Sequence, residues 1–344
     1  MAKVTAKENF MKIAHNEFPY YIPFYSLMGG SYRDECPQMD AFVSFFPDTA
    51  FQGGTDMWGV PYAKPSTGIE AAMPDTRINI LEDICDWTKV IKFPEPLDVD
   101  IEKAYAENLK RIDRSQTALC FGPHFSPFQE LAALMGFEGA LLALAEDPEE
   151  VAAMLNAMVD HVMPHYLKAY EVFKPDLWHI IDDNASKLSP FFSPTIFNEV
   201  FLPVYKRLCE PALRDGVPVI VHDCGNVTPF LEGMYEYGTR VTEPFQEQND
   251  IIKCQEQFKG RMSFIGQWSW GDHIPKNWPD FDEEALRQDV RDTIDRCAAN
   301  GPYAFSGFPI GVPGDPGVGR AGEVLHDEVY TYGKKFCGYT GDCE

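Results

Sequence analysis

The stretch VPVIVHDCGNVTPFL, residues 217–231, combines a strand pattern with three polar side chains at its end. Residues 217–221 are continuously apolar and rich in valine, which is typical of a parallel strand covered on both faces. His222, Asp223 and Cys224 follow at once, before a Gly-Asn turn. The stretch therefore predicts a parallel α/β sheet with reactive groups where this strand ends.

Six further apolar runs of this kind are separated by stretches with helical periodicity. The clearest helix is predicted at 148–173, and a second at 195–214. This alternation favours a single-domain (β/α)8 TIM barrel over residues 1–344, with a helical or irregular N-terminal extension over about 1–20. An eighth strand is predicted near 55–62. The six further runs are 20–26, 117–122, 177–182, 240–245, 262–267 and 303–308.

The composition restricts the class of partner. The chain has 53 acidic and 29 basic residues, a formal net charge of −24, so it repels nucleic-acid phosphates. No uninterrupted apolar run reaches the roughly 18 residues of a membrane span, and the N-terminus lacks the apolar core of a signal peptide. Nine cysteines without a C-x-x-C pair are typical of free thiols in a reducing compartment. We expect a soluble, cytoplasmic protein that binds neither nucleic acid nor membrane.

Polar side chains follow five of the predicted strands, and the Gly/Pro-rich loop 307–320 follows the last one. In a barrel the carboxyl ends of the strands open into one mouth, so these side chains are expected to converge. That convergence carries more weight than any single residue. The side chains are those of His124, Asp182, Asp183, His222, Asp223, Cys224, Glu243, Gln267 and Trp268.

His222 and Cys224 are separated by one residue, and an imidazole beside a thiolate suits zinc. The alternative is a hydrogen-bonded core histidine next to a small buried cysteine. Further ligands have to come from elsewhere, with Glu243, Asp182 and Asp183 as candidates. The predicted metal ligands are His222, Cys224 and Glu243.

Asp182 and Asp183 form a second candidate catalytic site. Their surroundings can divide adjacent carboxyl groups into an ionised and a protonated member, as acid catalysis requires. The alternative is that one aspartate caps a helix and the other is solvated. The predicted catalytic residues are Asp182, Asp183 and His222.

Aromatic residues are dense around the first predicted strand. Most are expected in the core, but a few can line a small-molecule pocket with apolar walls and a polar rim. The predicted substrate-binding residues are Tyr25, Met28, Trp58, His124 and Gln267.

Five segments in order resemble the uroporphyrinogen decarboxylase superfamily, in particular its corrinoid-dependent methyltransferase branch. GTDMWGVPY (54–62) is similar to a D-x-W-G-V segment of that family, and VIVHDCGN (219–226) is similar to its His-x-Cys-Gly motif. The resemblance extends over most of the chain and implies the same (β/α)8 barrel. The other segments are EDICDWTKVIKFPEPLD (82–98), ALMGFEGALLALAEDPEEV (133–151) and DDNASKLSPFFSPTIFNEVFLPVYKRL (182–208).

Two departures from the family pattern narrow the implied activity. Uroporphyrinogen decarboxylases hold a polycarboxylate with several early arginines, whereas 22–35 contains only Arg33. Methyltransferases of the family that act on thiols complete the zinc site with a late cysteine, and here Phe308 or a neighbour occupies that place. A more oxygen-rich site would suit an ether oxygen better than a thiol.

The resemblance therefore implies the O-demethylase methyltransferase I type. Such an enzyme moves a methyl group from a methoxylated aromatic compound to the cobalt of a separate corrinoid protein, with zinc or an acid polarising the ether oxygen. The expected partners are that small molecule and the corrinoid protein, and the family suggests a homodimer at most. Three alternatives stay open: a metal-free decarboxylase of a small aromatic or pyrrolic acid, a methylcobalamin-to-thiol methyltransferase, and a non-catalytic docking barrel.

Overall fold

The computed structural model describes residues 4–25, 38–64, 72–75, 77–268, 280–309 and 316–341. Its described residues form these strands: β1 (Phe24–Tyr25), β2 (Gln38–Asp40), β3 (Tyr62–Ala63), β4 (Met73–Pro74), β5 (Ala118–Phe121), β6 (Leu177–Ile181), β7 (Val219–His222), β8 (Thr239–Phe245), β9 (Ser263–Gln267) and β10 (Tyr303–Ser306). Eight of them form one sheet in the order β1-β10-β9-β8-β7-β6-β5-β2, and its pairs are parallel. β3 and β4 form a separate antiparallel pair.

Helices lie between the strands, as the crossover connections of a parallel sheet require. They span Ala6–Ala14, Trp87–Val90, Ile101–Asn108, Pro127–Glu146, Pro148–Phe173, Pro194–Ile196, Leu202–Leu208, Glu210–Asp215, Leu231–Glu236, Ile251–Gln257, Glu283–Ala298 and Pro316–Cys337, with a π-helical turn at Phe197–Phe201.

The prediction of a (β/α)8 barrel fold is confirmed, because each of the seven apolar runs contains a strand of the parallel sheet. The outermost strands in the pairing order are β1 and β2, and within the described residues no pairing joins them. The chain between these two strands, 26–37, lies outside the described ranges.

The predicted position of the eighth strand is wrong. That strand is β2, whereas 55–62 is mainly a tight loop leading into β3. Asp56 shapes the loop, because its Oδ1 accepts hydrogen bonds from the main-chain N–H groups of Trp58 and Val60 at 2.9 and 2.8 Å. β2 has only three residues, two of them polar, so a search for apolar runs passes over it.

The predicted helix at 148–173 is confirmed as Pro148–Phe173. The one predicted at 195–214 is instead divided into short pieces. Pro203 and Pro211 each stand at the start of a new piece, because proline has no N–H group to continue the preceding helix.

The helix Ala6–Ala14 closes the amino end of the barrel. Phe10, Ile13 and Ala14 pack against an apolar layer inside the sheet. The N–H group of Lys7 donates to the carbonyl of Gln116 at 2.7 Å, and a side-chain bond joins Ser263 to the carbonyl of Ile13 at 2.8 Å. The inner apolar layer consists of Ala118, Cys120, Leu177, Ile220, Val241, Ile265 and Ala304, with Tyr25 of β1.

The interior becomes polar toward the carboxyl end of the strands. Side chains alternate between the faces of a strand, so the residue two positions further along points the same way. Two positions beyond the apolar layer, β6 carries His179, β7 His222, β8 Glu243 and β9 Gln267. This polar layer, on four adjacent strands, contains the candidate site.

One helix, Pro127–Glu146, is long and apolar enough to span a membrane by length and composition. Two acidic residues, Glu130 and Glu138, interrupt its apolar sequence. Nine of its residues are buried, it packs against the next helix, and its backbone breaks at Gly136 (φ 72°, ψ 157°). These features are those of a core helix of the barrel.

Candidate functional site

The loop after β7 is held in a tight shape. Gly225 has a φ of 94°, and a Cβ at this position would lie 2.4 Å from the carbonyl oxygen of Ala185, so only glycine fits. The N–H group of Gly225 donates to Gln246 at 2.7 Å, and its carbonyl accepts from Asn249 at 2.9 Å. The loops after β6, β7 and β8 are thereby fastened together, which fixes the side chains that precede Gly225.

Asp183, His222 and Cys224 bring oxygen, nitrogen and sulfur ligand atoms within 4.8 Å of one another. Nε2 of His222 lies 3.6 Å from the sulfur of Cys224 and 4.0 Å from Oδ1 of Asp183. The same oxygen of Asp183 accepts a hydrogen bond from the N–H group of Cys224 at 3.0 Å, and its Oδ2 accepts from Gln129 at 2.8 Å. We call these three residues the outer cluster.

The outer cluster fits a zinc-type ion. With Zn–S near 2.3 Å and Zn–N near 2.0 Å, tetrahedral geometry separates sulfur and nitrogen by about 3.5 Å. The distance between Cys224 and His222 is 3.6 Å. All three side chains are partly exposed, so solvent or a substrate could reach an ion held there, as a catalytic zinc site requires.

Glu243 lies on the other side of the His222 ring. Its Oε1 is 3.0 Å from Nδ1 of His222, and only 2% of the residue is exposed. Burial disfavours a charged imidazole, but Glu243 and Cys224 outweigh it and raise the pKa of His222 well above its usual value. Glu243, expected as a ligand, lies where it can orient His222, and Asp183, named among the candidate ligands, lies beside Nε2 of His222. Glu243 as a metal ligand stays a prediction.

We expect Glu243→Gln to weaken metal binding without abolishing it. A glutamine keeps the size of the side chain but removes the negative charge that orients the imidazole, which costs about 10- to 100-fold in metal affinity at comparable sites. Zinc affinity measured by competition with a chelator checks this, with the exposed Glu236→Gln as the control. Unchanged affinity in Glu243→Gln would contradict the orienting role.

Asp182 is buried and surrounded by donors. Its Oδ2 accepts from the N–H group of Phe128 and the hydroxyl of Tyr205, both at 2.8 Å, and its Oδ1 accepts from the N–H groups of Gln129 and Asp183. Burial raises the pKa of Asp182 to about 6, although these hydrogen bonds oppose the rise. Its carboxyl group thus holds the start of the helix Pro127–Glu146, and its catalytic role stays a prediction.

The predicted substrate-binding residues lie in different surroundings. Tyr25 is buried inside the barrel, and Trp58 is buried with its ring edge-on to Phe93 and Phe125. His124 is exposed, 5.3 Å from the ring of Phe42. Met28 lies outside the described residues.

The amide of Gln267 is fully used within the protein. Its Nε2 lies within 3.1 Å of the carbonyls of Phe245, Gln246 and Asn249, and its Oε1 accepts from Arg296 at 2.8 Å. These contacts hold the loop after β8 in place beside the outer cluster. Contact between Gln267 and a substrate stays a prediction.

The carboxyl group of Asp56, in the loop before β3, is expected to make the stability of the protein depend on pH. The residue is 8% exposed, its Oδ2 has no hydrogen-bond partner among the described residues, and burial raises its pKa from 3.8 to about 6. A folded-state pKa above the unfolded one stabilises the protein at low pH, and this contribution is lost as the pH rises through 6. The loss is about 3 kcal/mol in total, about half of it between pH 5 and pH 8.

Asp56→Asn should therefore stabilise the protein more at pH 8 than at pH 5. Asparagine keeps an acceptor for the N–H groups of Trp58 and Val60 and carries no charge at either pH. Urea unfolding at the two pH values measures the difference. A variant whose stability changes with pH in parallel with the wild type would show that Asp56 does not titrate in this range.

Comparison with known proteins gives the family. The model of the uroporphyrinogen decarboxylase (URO-D) family matches residues 64–306, more than two thirds of the chain. This chain belongs to the uroporphyrinogen decarboxylase family. The search of curated proteins gave no match.

Solved structures agree on the fold. A methyltransferase from Methanosarcina mazei is similar with a TM-score of 0.63 and 12% sequence identity, over 96% of this chain and 99% of the other. At that identity the likeness shows the barrel fold alone. An AP endonuclease of family 2 from Brucella melitensis matches with a TM-score of 0.34 and 13% identity, over 64% of this chain and 81% of the other, which is too distant to support an argument.

Within this family fold, the place after β10 matters for the choice of substrate. Phe308, which with its neighbours stands where the family resemblance predicts a late cysteine, is 70% exposed. The following residues, 310–315, lie outside the described ranges.

Three buried residues of the same barrel interior also have metal-binding side chains and were not predicted from the sequence as site residues: Asp40, Cys120 and His179. Cys120 and His179 stand inside the apolar runs 117–122 and 177–182. The period of two along β6 and β7 carried a usable signal, since His179 and His222 each stand two residues after an inward-facing apolar side chain.

Proposed function

We propose that the protein transfers a methyl group from a methoxylated aromatic compound to the cobalt of a corrinoid protein. The observation that carries the proposal is the outer cluster: Asp183, His222 and Cys224 supply one oxygen, one nitrogen and one sulfur at the carboxyl end of the barrel. Active sites of (β/α)8 enzymes lie at this end. The methyltransferase of Methanosarcina mazei, whose fold is similar, adds support.

The bond to be broken explains why such a site is needed. An aryl methyl ether is a poor methyl donor because its leaving group is a phenolate, whose conjugate acid has a pKa of about 10. A bound zinc-type ion would supply Lewis acidity to the ether oxygen. The methyl carbon passes to reduced cobalt as the C–O bond breaks, and the phenolate leaves with the bonding electron pair.

The protein's own residues prepare this site in three ways. Glu243 fixes the orientation of His222, so that Nε2 faces the cluster. The bonds of Gly225 to Gln246 and Asn249 keep the loop that carries Cys224 in place. The carboxylate of Asp183, half-exposed and bonded to Gln129, makes the set richer in oxygen than a site with two thiolates.

The donor set also favours this reaction over the two other enzymatic alternatives. The resemblance implies a second cysteine for thiol methylation, and the matching stretch 305–315, which includes Phe308, contains none. A decarboxylase would need cations gathered on a substrate carboxylate. Arg77, one candidate for that task, instead makes a bidentate pair with Asp75 and is largely exposed.

The test is a direct assay of the zinc-loaded protein with methoxybenzoates and chemically reduced cobalamin as the acceptor. Formation of methylcobalamin together with an equal amount of the corresponding hydroxybenzoate is the expected result. Cys224→Ala should lose this activity, and Cys85→Ala, which changes an exposed cysteine, should keep it. A zinc-loaded wild type that forms neither product, with free cobalamin or with a corrinoid protein, would overturn the proposal.

A further inference from the structure

A second group of metal-binding side chains lies deeper in the barrel. Asp40 at the end of β2, Cys120 in β5 and His179 in β6 offer ligand atoms within 4.8 Å of one another. All three are buried, with 8% of Asp40, 0% of Cys120 and 4% of His179 exposed. We call them the inner cluster. The proposed methyl transfer uses none of them.

Only one of the two ring nitrogens of His179 has a hydrogen-bond partner among the described residues. Its Nδ1 lies 3.0 Å from Oδ2 of Asp40, a distance that suits either a hydrogen bond or two ligands of one ion. Its Nε2 is buried and makes no hydrogen bond to any described residue. An ion bound at Nδ1 would leave Nε2 to turn toward a carboxylate, as the second nitrogen of a metal-binding histidine does.

Glu243 relates the inner cluster to the outer one. Its Oε1 is 3.0 Å from Nδ1 of His222 and 3.9 Å from Nε2 of His179. The other nitrogen of each ring faces a set of ligand atoms, Cys224 and Asp183 in one case and Asp40 in the other. Histidines that bind metals direct their second nitrogen to a carboxylate, and here both rings turn toward the same carboxylate.

Space and charge at the inner cluster also suit an ion. A cavity of about 20 Å³, large enough for one water molecule or ion, lies beside two of the three residues, Asp40 and His179, and is also bordered by His124 and Gly122 but not by Cys120. Oδ2 of Asp40 lies 3.0 Å from Nδ1 of His179, and Oε1 of Glu243 lies 3.9 Å from Nε2 of the same ring. Two buried carboxylates, Asp40 and Glu243, therefore lie close to the same imidazole.

We propose that Asp40, Cys120 and His179 bind a second divalent ion of the zinc type, and that Glu243 supports the histidine of both clusters. Nitrogen, sulfur and oxygen ligands together suit zinc among the common divalent ions. This inference goes beyond the proposed methyl transfer and does not depend on its substrate.

The inner ion has a structural task. β2 has only three residues and pairs with β5 alone among the described strands. A metal held by Asp40, Cys120 and His179 links β2 to β5 and β6 through side chains inside the barrel. Removal of the ion is expected to loosen β2 and to lower the melting temperature of the protein.

Cobalt substitution distinguishes the two clusters, because each contains one cysteine and a cobalt–thiolate bond absorbs in the near ultraviolet. The full-length protein is stripped of metal, loaded with Co²⁺ and freed of excess ion. Wild type should hold two cobalt ions per chain, and Cys120→Ala and Cys224→Ala should each hold one and lose part of the absorption. Cys254→Ala, which changes another buried cysteine, should behave as the wild type.

Each outcome decides the inner cluster separately from the outer one. If Cys120→Ala binds as much cobalt as the wild type with unchanged absorption, the inner site is wrong. If only Cys120→Ala loses an ion, the inner site stands and the outer metal centre fails. The melting temperature provides a second readout that a misfolded variant would not reproduce. Chelation should lower the melting temperature of the wild type and of Cys224→Ala, but that of Cys120→Ala much less. Equal decreases in all three proteins would overturn the inner site.

Discussion

In the His222→Ala protein, we expect one bound zinc ion per chain to be lost and methyl transfer to fall about 10³-fold or more. The substitution removes the central ligand of the outer cluster, whose Nε2 lies between Cys224 and Asp183. Lewis-acid stabilisation by a bound ion is worth several kcal/mol in the transition state, and about 4 kcal/mol corresponds to 10³ in rate.

The measurement is elemental analysis of the purified protein together with the methyl-transfer assay. His15→Ala is the matched control, because His15 is exposed near the amino end of the barrel. Circular dichroism establishes that both variants fold. A His222→Ala protein that retains all of its zinc would exclude the outer cluster as a metal centre, and one that loses zinc but keeps its rate would exclude the ion from the reaction.

The second large effect concerns stability, and it separates two adjacent carboxyl groups. Asp182→Ala removes the acceptor of four hydrogen bonds, from Phe128, Gln129, Asp183 and Tyr205. Each unsatisfied donor costs about 1–3 kcal/mol. The substitution also removes the cost of burying a negative charge. Because burial raises the pKa of Asp182 from 3.8 to about 6, that removal stabilises the variant by about 3 kcal/mol. We expect a net loss of about 5 kcal/mol in the free energy of unfolding, the middle of the range of about 1–9 kcal/mol that these costs give.

Asp183→Ala is the control for this prediction. Asp183 has a side chain that is 39% exposed and accepts two hydrogen bonds, so the loss of stability should be below about 1.5 kcal/mol. Its effect should instead fall on zinc affinity. Urea unfolding and zinc titration of both variants give the comparison, and a stable Asp182→Ala protein with a greatly reduced rate would establish Asp182 as an acid catalyst after all.

The parts of the site that lie close together in sequence were predictable. His222 and Cys224 stand two residues apart at the end of an apolar run, so one strand suffices to bring them together. Seven of the eight barrel strands were found for the same reason, since parallel strands buried on both faces leave continuous apolar runs. β2 escaped because three residues with two polar side chains leave no such run.

The remaining assignments depend on how strands pair. Whether Asp183 or Glu243 faces Nε2 of His222 follows from the register in which Ile181 and Glu243 each lie opposite His222. Sequence patterns do not fix that register between strands. The inner cluster is harder still to predict from the sequence, because Asp40, Cys120 and His179 belong to three strands that are widely separated along the chain.

The N-terminal helix that closes the amino end of the barrel has a consequence for the order of events during turnover. Phe10, Ile13 and Ala14 fill that end, so among the described residues the opposite opening is the route by which we expect substrates to reach the polar layer. If the acceptor is the cobalt of a docked protein, that protein covers the entrance. The aromatic donor must then bind first, and the demethylated product can leave only after the methylated carrier has dissociated.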